Sequence, residues 1–255
     1  MLARMTVAHD EVAAARRAVE DNPVWYHSIE LAPGVVTPGQ VDMRGVAARV
    51  LPADLTGKRA LDIGTFDGFW AFEMERRGAE VVAIDVDKID DAEWPPLQRD
   101  ALLAEAARLD VELGRGFRLA AEALDSKARR VVCNMYDLEP DRIGGPVDLI
   151  FSGTILLHLR DPVRALERVL NTLSPGGEMR LIEPFSVALT LSSPRKPAAT
   201  FNPLDTPFNW WVPNLAGLNA WLRAAGFTQI KRLTVMRPPS VEAMRQPYVV
   251  LSARR

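Results

Sequence analysis

The order of apolar runs and turns predicts an α/β fold, with a doubly wound, mostly parallel sheet covered by helices. Three observations carry this. Ala60-Leu61-Asp62-Ile63 is a short apolar run that enters a glycine-bearing turn, Gly64-Thr65-Phe66-Asp67-Gly68, and then a helical pattern. A second run, Val81-Val82-Ala83-Ile84, follows after a short connection and ends on Asp85. A later run, Val147-Asp148-Leu149-Ile150-Phe151, is almost continuously apolar, as strands become when both faces of a sheet are covered.

Composition frames the reading. A chain of 255 residues suits one large domain or a domain with an appendage. Hydrophobic residues at 48% and charged residues at 25% describe a soluble globular protein. The formal net charge of −2 argues against broad nucleic-acid binding, while leaving room for a local basic patch. Cys133 has no second cysteine to pair with, and in Val131-Val132-Cys133 it reads as a small buried strand residue rather than a nucleophile. No apolar run reaches membrane-spanning length, and Met1-Leu2-Ala3-Arg4 opens no signal-peptide core, so a cytoplasmic protein is expected. No metal site is expected.

Residues 8–20 carry alanines and charges at helical spacing, and Asn22-Pro23 ends that helix because the residue before proline avoids the helical region. Trp25-Tyr26-His27 and the Pro33-Gly34 and Pro38-Gly39 turns follow. This segment precedes the first sheet strand and must pack over the domain from outside. It is either a lid whose Trp25, Tyr26 and His27 touch a substrate, or a plain packing strap. Residues 1–56 are thus an N-terminal helix and lid segment, and residues 57–255 the main domain.

Within that domain the first helix carries Phe69, Ala71 and Phe72, pairs Glu73 with Arg77, and stops at Gly78. Residues 87–128 are an insertion. It contains a helix from Leu97 to Leu109 and a second from about Phe117 to Ala128, the crossover that a parallel sheet requires. Arg130 to Asn134 is the third strand and Val147 to Gly153 the fourth. Asp161-Pro162 starts a helix with its apolar face on Val163, Leu166, Val169, Leu170 and Leu173. Pro175-Gly176-Gly177 stops it, and Glu178 to Pro184 is the fifth strand. Residues 185–213 form a second insertion, rich in proline, serine and aromatics, at the sheet's carboxyl edge. Asn214 caps a helix from Leu215 to Ala225, which Gly226 ends, and Phe227–Val235 with Pro247–Ala253 make an antiparallel finish.

The turn after the first strand selects the ligand. A dinucleotide fingerprint needs glycine where Phe66 stands, because backbone must approach a pyrophosphate there. Asp62 would repel a phosphate but can pair with an ammonium, and Asp85 can accept from both hydroxyls of a ribose. S-adenosylmethionine (SAM) has an amino acid at one end and a ribose at the other, and so suits both acids. The same pattern also suits a strand–turn–helix whose acids only cap backbone. Asn134 and Met135, at the end of the third strand, are candidates to read the edge of an adenine; a plain strand-to-loop turn is the alternative.

Taken as a set, Leu61-Asp62-Ile63-Gly64, Ile84-Asp85, Asn134-Met135-Tyr136-Asp137-Leu138, Val147-Asp148-Leu149-Ile150-Phe151 and Pro175-Gly176-Gly177 resemble class I SAM-dependent methyltransferases. The resemblance covers about residues 57 to 255. It implies a Rossmann-like, seven-stranded sheet whose last strand is antiparallel. More narrowly, Trp25-Tyr26-His27, Gly64-Thr65-Phe66-Asp67-Gly68-Phe69, Tyr136-Asp137-Leu138 and Leu156-Leu157-His158-Leu159-Arg160-Asp161-Pro162 are similar to the tRNA wobble-uridine (mo5U-type) methyltransferase subfamily. Phe66 departs from the commoner glycine of the class. The candidate cofactor contacts are Asp62, Gly64, Thr65, Phe66 and Gly68; Asp85 and Val86; Asn134, Met135 and Tyr136; and Ser152 and Gly153.

Methyl transfer needs mainly alignment and exclusion of water, with a base only where the acceptor carries a proton. His158, just beyond the fourth strand, is the first candidate for that base and Glu183 the second; packing alone is the alternative for His158, and a salt bridge for Glu183. Phe208, Trp210 and Trp211 are candidates for an apolar acceptor wall, or for core packing. The expected activity is methyl transfer to oxygen or nitrogen of a small, partly apolar metabolite. A tRNA-modifying methyltransferase is the alternative, which needs a basic track built from Arg195, Lys196, Arg237 and Arg245. A non-catalytic SAM-binding protein is the third reading.

Overall fold

The computed structural model describes residues 2–204, 208–240 and 246–255, with side chains from residue 10 onward. Seven strands form one sheet: β1 Arg59–Ile63, β2 Glu80–Asp85, β3 Arg129–Val132, β4 Val147–Gly153, β5 Leu173–Pro184, β6 Thr228–Met236 and β7 Tyr248–Arg254. Their spatial order is β6-β7-β5-β4-β1-β2-β3. β1 to β5 run parallel, and β7 lies antiparallel between β5 and β6. The doubly wound, seven-stranded sheet with an antiparallel last strand is therefore present.

The helices are α1 Leu2–Glu20, α2 Phe69–Arg76, α3 Pro96–Arg108, α4 Arg115–Ala123, α5 Pro162–Thr172, α6 Val187–Ser192 and α7 Leu215–Ala224. Strand alternation sends side chains to two separate cores. Ala60, Val81, Ala83, Leu149 and Phe151 face α1, α2 and α4. Leu61, Ile63, Val82, Ile84 and Ile150 face α5 and α7. Asp161 accepts from the Arg164 amide at 3.0 Å and Asn214 from the Gly217 amide at 2.7 Å, so both expected helix caps form.

Two elements end differently from expectation. α5 stops at Thr172, and Pro175-Gly176-Gly177 lies inside β5 instead of before it. Leu173 is already extended, and the β4–β5 register jumps between Val147↔Leu173 and Leu149↔Glu178, so the extra residues are taken up as an irregularity in the strand. The second insertion helix ends at Ala123, soon before Asp125 turns into the left-handed region at φ 49°.

The sheet positions the site. Connections leave β1 in one direction toward β2 and β3, and the chain then returns to β4 on β1's other side. The carboxyl ends of β1 and β4 thus flank the crevice where α/β sheets bind ligands. Because β7 is antiparallel and Tyr248 pairs with Pro184, its first residue also lies at this edge.

Candidate active site

Backbone geometry at the end of β1 is tightly fixed. Gly64 has φ 68°, in the left-handed region that favours glycine, and a methyl group there would meet Ile155 Cδ1 of the loop after β4 at 2.2 Å, so that side chain would have to move. Phe66 also occupies the left-handed region, at φ 47°, where a bulky residue carries a strain of about 1–3 kcal/mol. Two contacts hold it. Its amide donates to Asp85 Oδ2 at 2.8 Å, and its ring meets Tyr26 edge-on at 6.1 Å. Asp85 Oδ1 accepts from the Val86 amide at 2.8 Å. Burial pushes the Asp85 carboxyl up, against the pull of these amides and of Arg130.

A cavity of about 600 Å³ opens from this loop. One side is formed by Gly64, Phe66, Asp85, Asn134, Met135 and Gly153, at the tips of β1 to β4. Another is formed by Tyr26, His27, Met43, Trp70, Phe151 and Tyr248. Trp70 stacks on Phe151 at 4.1 Å, giving that wall a rigid aromatic floor.

The segment before β1 is bolted to the loop by Asp67, which is fully buried. Its Oδ2 accepts from the amides of Tyr26 (3.0 Å) and His27 (2.6 Å), and its Oδ1 lies 2.6 Å from His27 Nδ1. The His27 ring stacks on Phe69 at 5.1 Å.

The two insertions lock together above the opening. Trp210 Nε1 donates to the Glu93 carbonyl at 2.6 Å, and Glu93 Oε2 accepts from Tyr136 Oη (2.7 Å) and the Arg160 amide (2.8 Å). The Arg160 guanidinium lies 4.6 Å over the Trp210 ring. His158 Nδ1 is 2.6 Å from the Phe208 carbonyl, and Trp94 packs edge-on against both rings. Desolvation lowers the His158 pKa, so the neutral ring is favoured.

Residues 40–231 match the methyltransferase domain family, well over half of the chain. The chain belongs to this family. SAM is its methyl-donating cofactor. Among curated proteins, the methyltransferase is 29% identical over 189 residues to a tRNA U34 carboxymethyltransferase of Azotobacter vinelandii. It is 30% identical over 190 residues to the enzyme of the same name from Pseudomonas paraeruginosa. These alignments cover 73% and 74% of this chain but 51% of each relative, so the chain spans about half the length of the curated relatives it matches. Among solved structures, 1,6-didemethyltoxoflavin-N1-methyltransferase of Burkholderia thailandensis, with bound 1,6-didemethyltoxoflavin and S-adenosylhomocysteine, shares the fold. The TM-score is 0.55 at 20% identity, over 84% of this chain and 77% of that one.

The methyltransferase brings together many of the residues named from sequence. Gly64, Phe66, Asp85, Val86, Asn134, Met135, Tyr136 and Gly153 line the cavity, as do Tyr26, His27, His158 and Phe208. Others lie elsewhere. Asp62 is buried behind the turn, where Oδ2 accepts from Thr65 Oγ1 at 2.7 Å and burial pushes its pKa up to about 7. Both residues lie beneath the turn and neither lines the cavity. A Cβ on Gly68 would strike Phe72 and Phe117, which places this residue against α2 and α4. Ser152 alternates away from Phe151 and Gly153 and is fully buried. Trp25 packs inside with Nε1 on the Val19 carbonyl, so it belongs to the strap and only its neighbours reach the cavity. Glu183 is buried, with Oε1 accepting from the Ile155 and Leu156 amides (2.8 and 2.9 Å). Trp210 serves the roof lock, and Trp211 Nε1 donates to the Arg160 carbonyl at 3.0 Å. Of the three expected wall aromatics, Phe208 alone lines the cavity.

Asp85 has the open acceptor capacity that a ribose requires. It lines the cavity while each of its oxygens has bonded one amide, and each still has a lone pair for a ribose hydroxyl. Sequence reasoning missed Asp67, Trp70, Trp94, Phe151 and Tyr248 as site-forming residues. Asp67 stood within the turn motif, and the antiparallel finish already implied that the start of β7 returns to the mouth. Nothing local marked Trp94.

Proposed function

We propose that this methyltransferase transfers the methyl group of SAM to an O–H or N–H of a small, partly apolar metabolite. The observation that carries the reading is the shape and lining of the cavity. It is roofed by both insertions, floored by Trp70 and Phe151, and, among the described residues, its wall holds no lysine or arginine. Its volume suits one organic ligand pair far better than a polyanionic backbone. Asp85 would take the ribose hydroxyls, and Asn134 and Met135 would flank the base. The cofactor supplies an electrophilic methyl group. The chain's task is to align the acceptor and exclude water, which the roof lock through Glu93, Trp210 and Tyr136 supports.

The names of the curated relatives favour a second reading, a tRNA wobble-uridine substrate. Arg195, Lys196 and Arg237 are exposed, whereas Arg245 lies outside the described residues. Filter binding of bulk tRNA across a salt series separates the two. The metabolite reading expects weak binding without sequence preference. A tight complex that transfers label from methyl-labelled SAM to tRNA would replace it.

A further inference from the structure

The geometry points to His27, oriented by Asp67, as the group that takes the proton from the methyl acceptor, and therefore to an acceptor that is a weakly acidic O–H or N–H on an apolar ring. This deepens the proposed small-molecule reading and rests on it.

Five contacts fix His27, three on its backbone and two on its ring. Asp67 holds its amide and its Nδ1, Thr37 Oγ1 donates to its carbonyl at 2.7 Å, and Phe69 stacks on its face. Gly39 passes so close that a Cβ there would fall 2.0 Å from the His27 carbonyl carbon. A carboxylate only accepts, so Nδ1 carries the proton and Nε2 of the neutral ring keeps a lone pair. The residue is buried yet lines the cavity, as do Trp70 and Phe151 of the aromatic floor. His158 differs in its backing. A neutral carbonyl orients it, whereas Asp67 can stabilise the imidazolium that forms at His27 once a proton arrives. The titratable groups that face His27 are Asp67 in the loop, Asp62 behind it on β1 and the Tyr26 phenol on its own segment; Phe69 of α2 brings no charge.

The step balances simply. The acceptor's O–H or N–H proton passes to His27 Nε2, and the freed electron pair forms the bond to the methyl carbon. The carbon–sulfur bond breaks with its pair left on sulfur, which becomes neutral, and the imidazolium returns its proton to solvent.

The test uses the full chain with methyl-labelled SAM and a panel of substituted phenols and N–H heterocycles, beside calorimetry with S-adenosylhomocysteine. His27→Gln should lower transfer about 10²–10⁴-fold, the usual share of a general base. Its S-adenosylhomocysteine affinity should stay within about threefold. Asp67→Asn keeps an acceptor oxygen for the two amides but loses the charge. Its rate should fall less than that of His27→Gln, and its pH–rate profile should differ from the wild type's, a readout that a purely structural role for Asp67 would leave unmoved. A full rate in His27→Gln overturns the proposal. So does lost S-adenosylhomocysteine affinity with an intact rate at saturating SAM, which would make His27 a cofactor contact. Transfer to no member of the panel overturns the acceptor class. Failure of the wild type to bind S-adenosylhomocysteine would instead strike the cofactor assignment beneath it.

Discussion

Replacing Glu183 by glutamine should stabilise the protein at alkaline pH and leave it unchanged in acid. The side chain is 1% exposed, and desolvation is the main cause raising its pKa from 4.5 to about 8, while the amides of Ile155, Leu156 and Leu157 pull the other way. A carboxyl whose folded pKa lies above its unfolded value holds its proton in the native state after the unfolded chain has lost it. Stability is then fully present below about pH 4.5 and declines as pH rises through about 8. At about 1.36 kcal/mol per pH unit, the decline amounts to at most about 5 kcal/mol. Glutamine keeps an oxygen for the Ile155 and Leu156 amides and carries no charge, so its stability should be flat over that window. Urea unfolding of both proteins at pH 5, 7 and 9 reads the difference directly. We expect a gap of a few kcal/mol that opens between pH 5 and 9. A gap that does not vary with pH would refute the argument. Glu183→Ala provides the contrast, since it strands two amides and should cost about 1–3 kcal/mol for each one left unpaired.

Three further outcomes are expected. Asp85→Ala should weaken S-adenosylhomocysteine binding about 10- to 100-fold in calorimetry, the scale of hydrogen bonds to a charged group; an unchanged Kd contradicts its assignment to the ribose. His158→Ala should lower transfer less than tenfold, because the side chain orients the roof through the Phe208 carbonyl; a loss as large as that of His27→Gln would restore His158 as the base. Trp210→Phe removes the donor to the half-buried Glu93 carbonyl, at about 1 kcal/mol, and should speed hydrogen exchange in residues 87–96 and 208–213. Exchange as slow as in the wild type would show that this bond does not hold the insertions together.

The fold was legible in the sequence because the central strands are mostly apolar runs and the turns between them carry their own chemistry. Asp161-Pro162 and Asn214 cap their helices as their residue types demand, and Gly64 and Asp85 lie at the cavity because strand ends are set by local pattern. What a side chain does with its free atoms was not local. Asp62 has the spacing of a cofactor ligand, but it is buried beneath the turn and holds Thr65 Oγ1 three residues away, a contact that exists only once the turn closes. Glu183 and the two tryptophans of the second insertion likewise find partners in residues distant in sequence. Asp67 and His27 are 40 positions apart, and no periodicity links them. Sequence by itself determined the sheet, its edge and the class of ligand that edge can take. Only the tertiary structure decided which polar groups are consumed in holding the site together and which remain to act, because burial forces every such group to find a partner and the chain's path decides which partners come within reach.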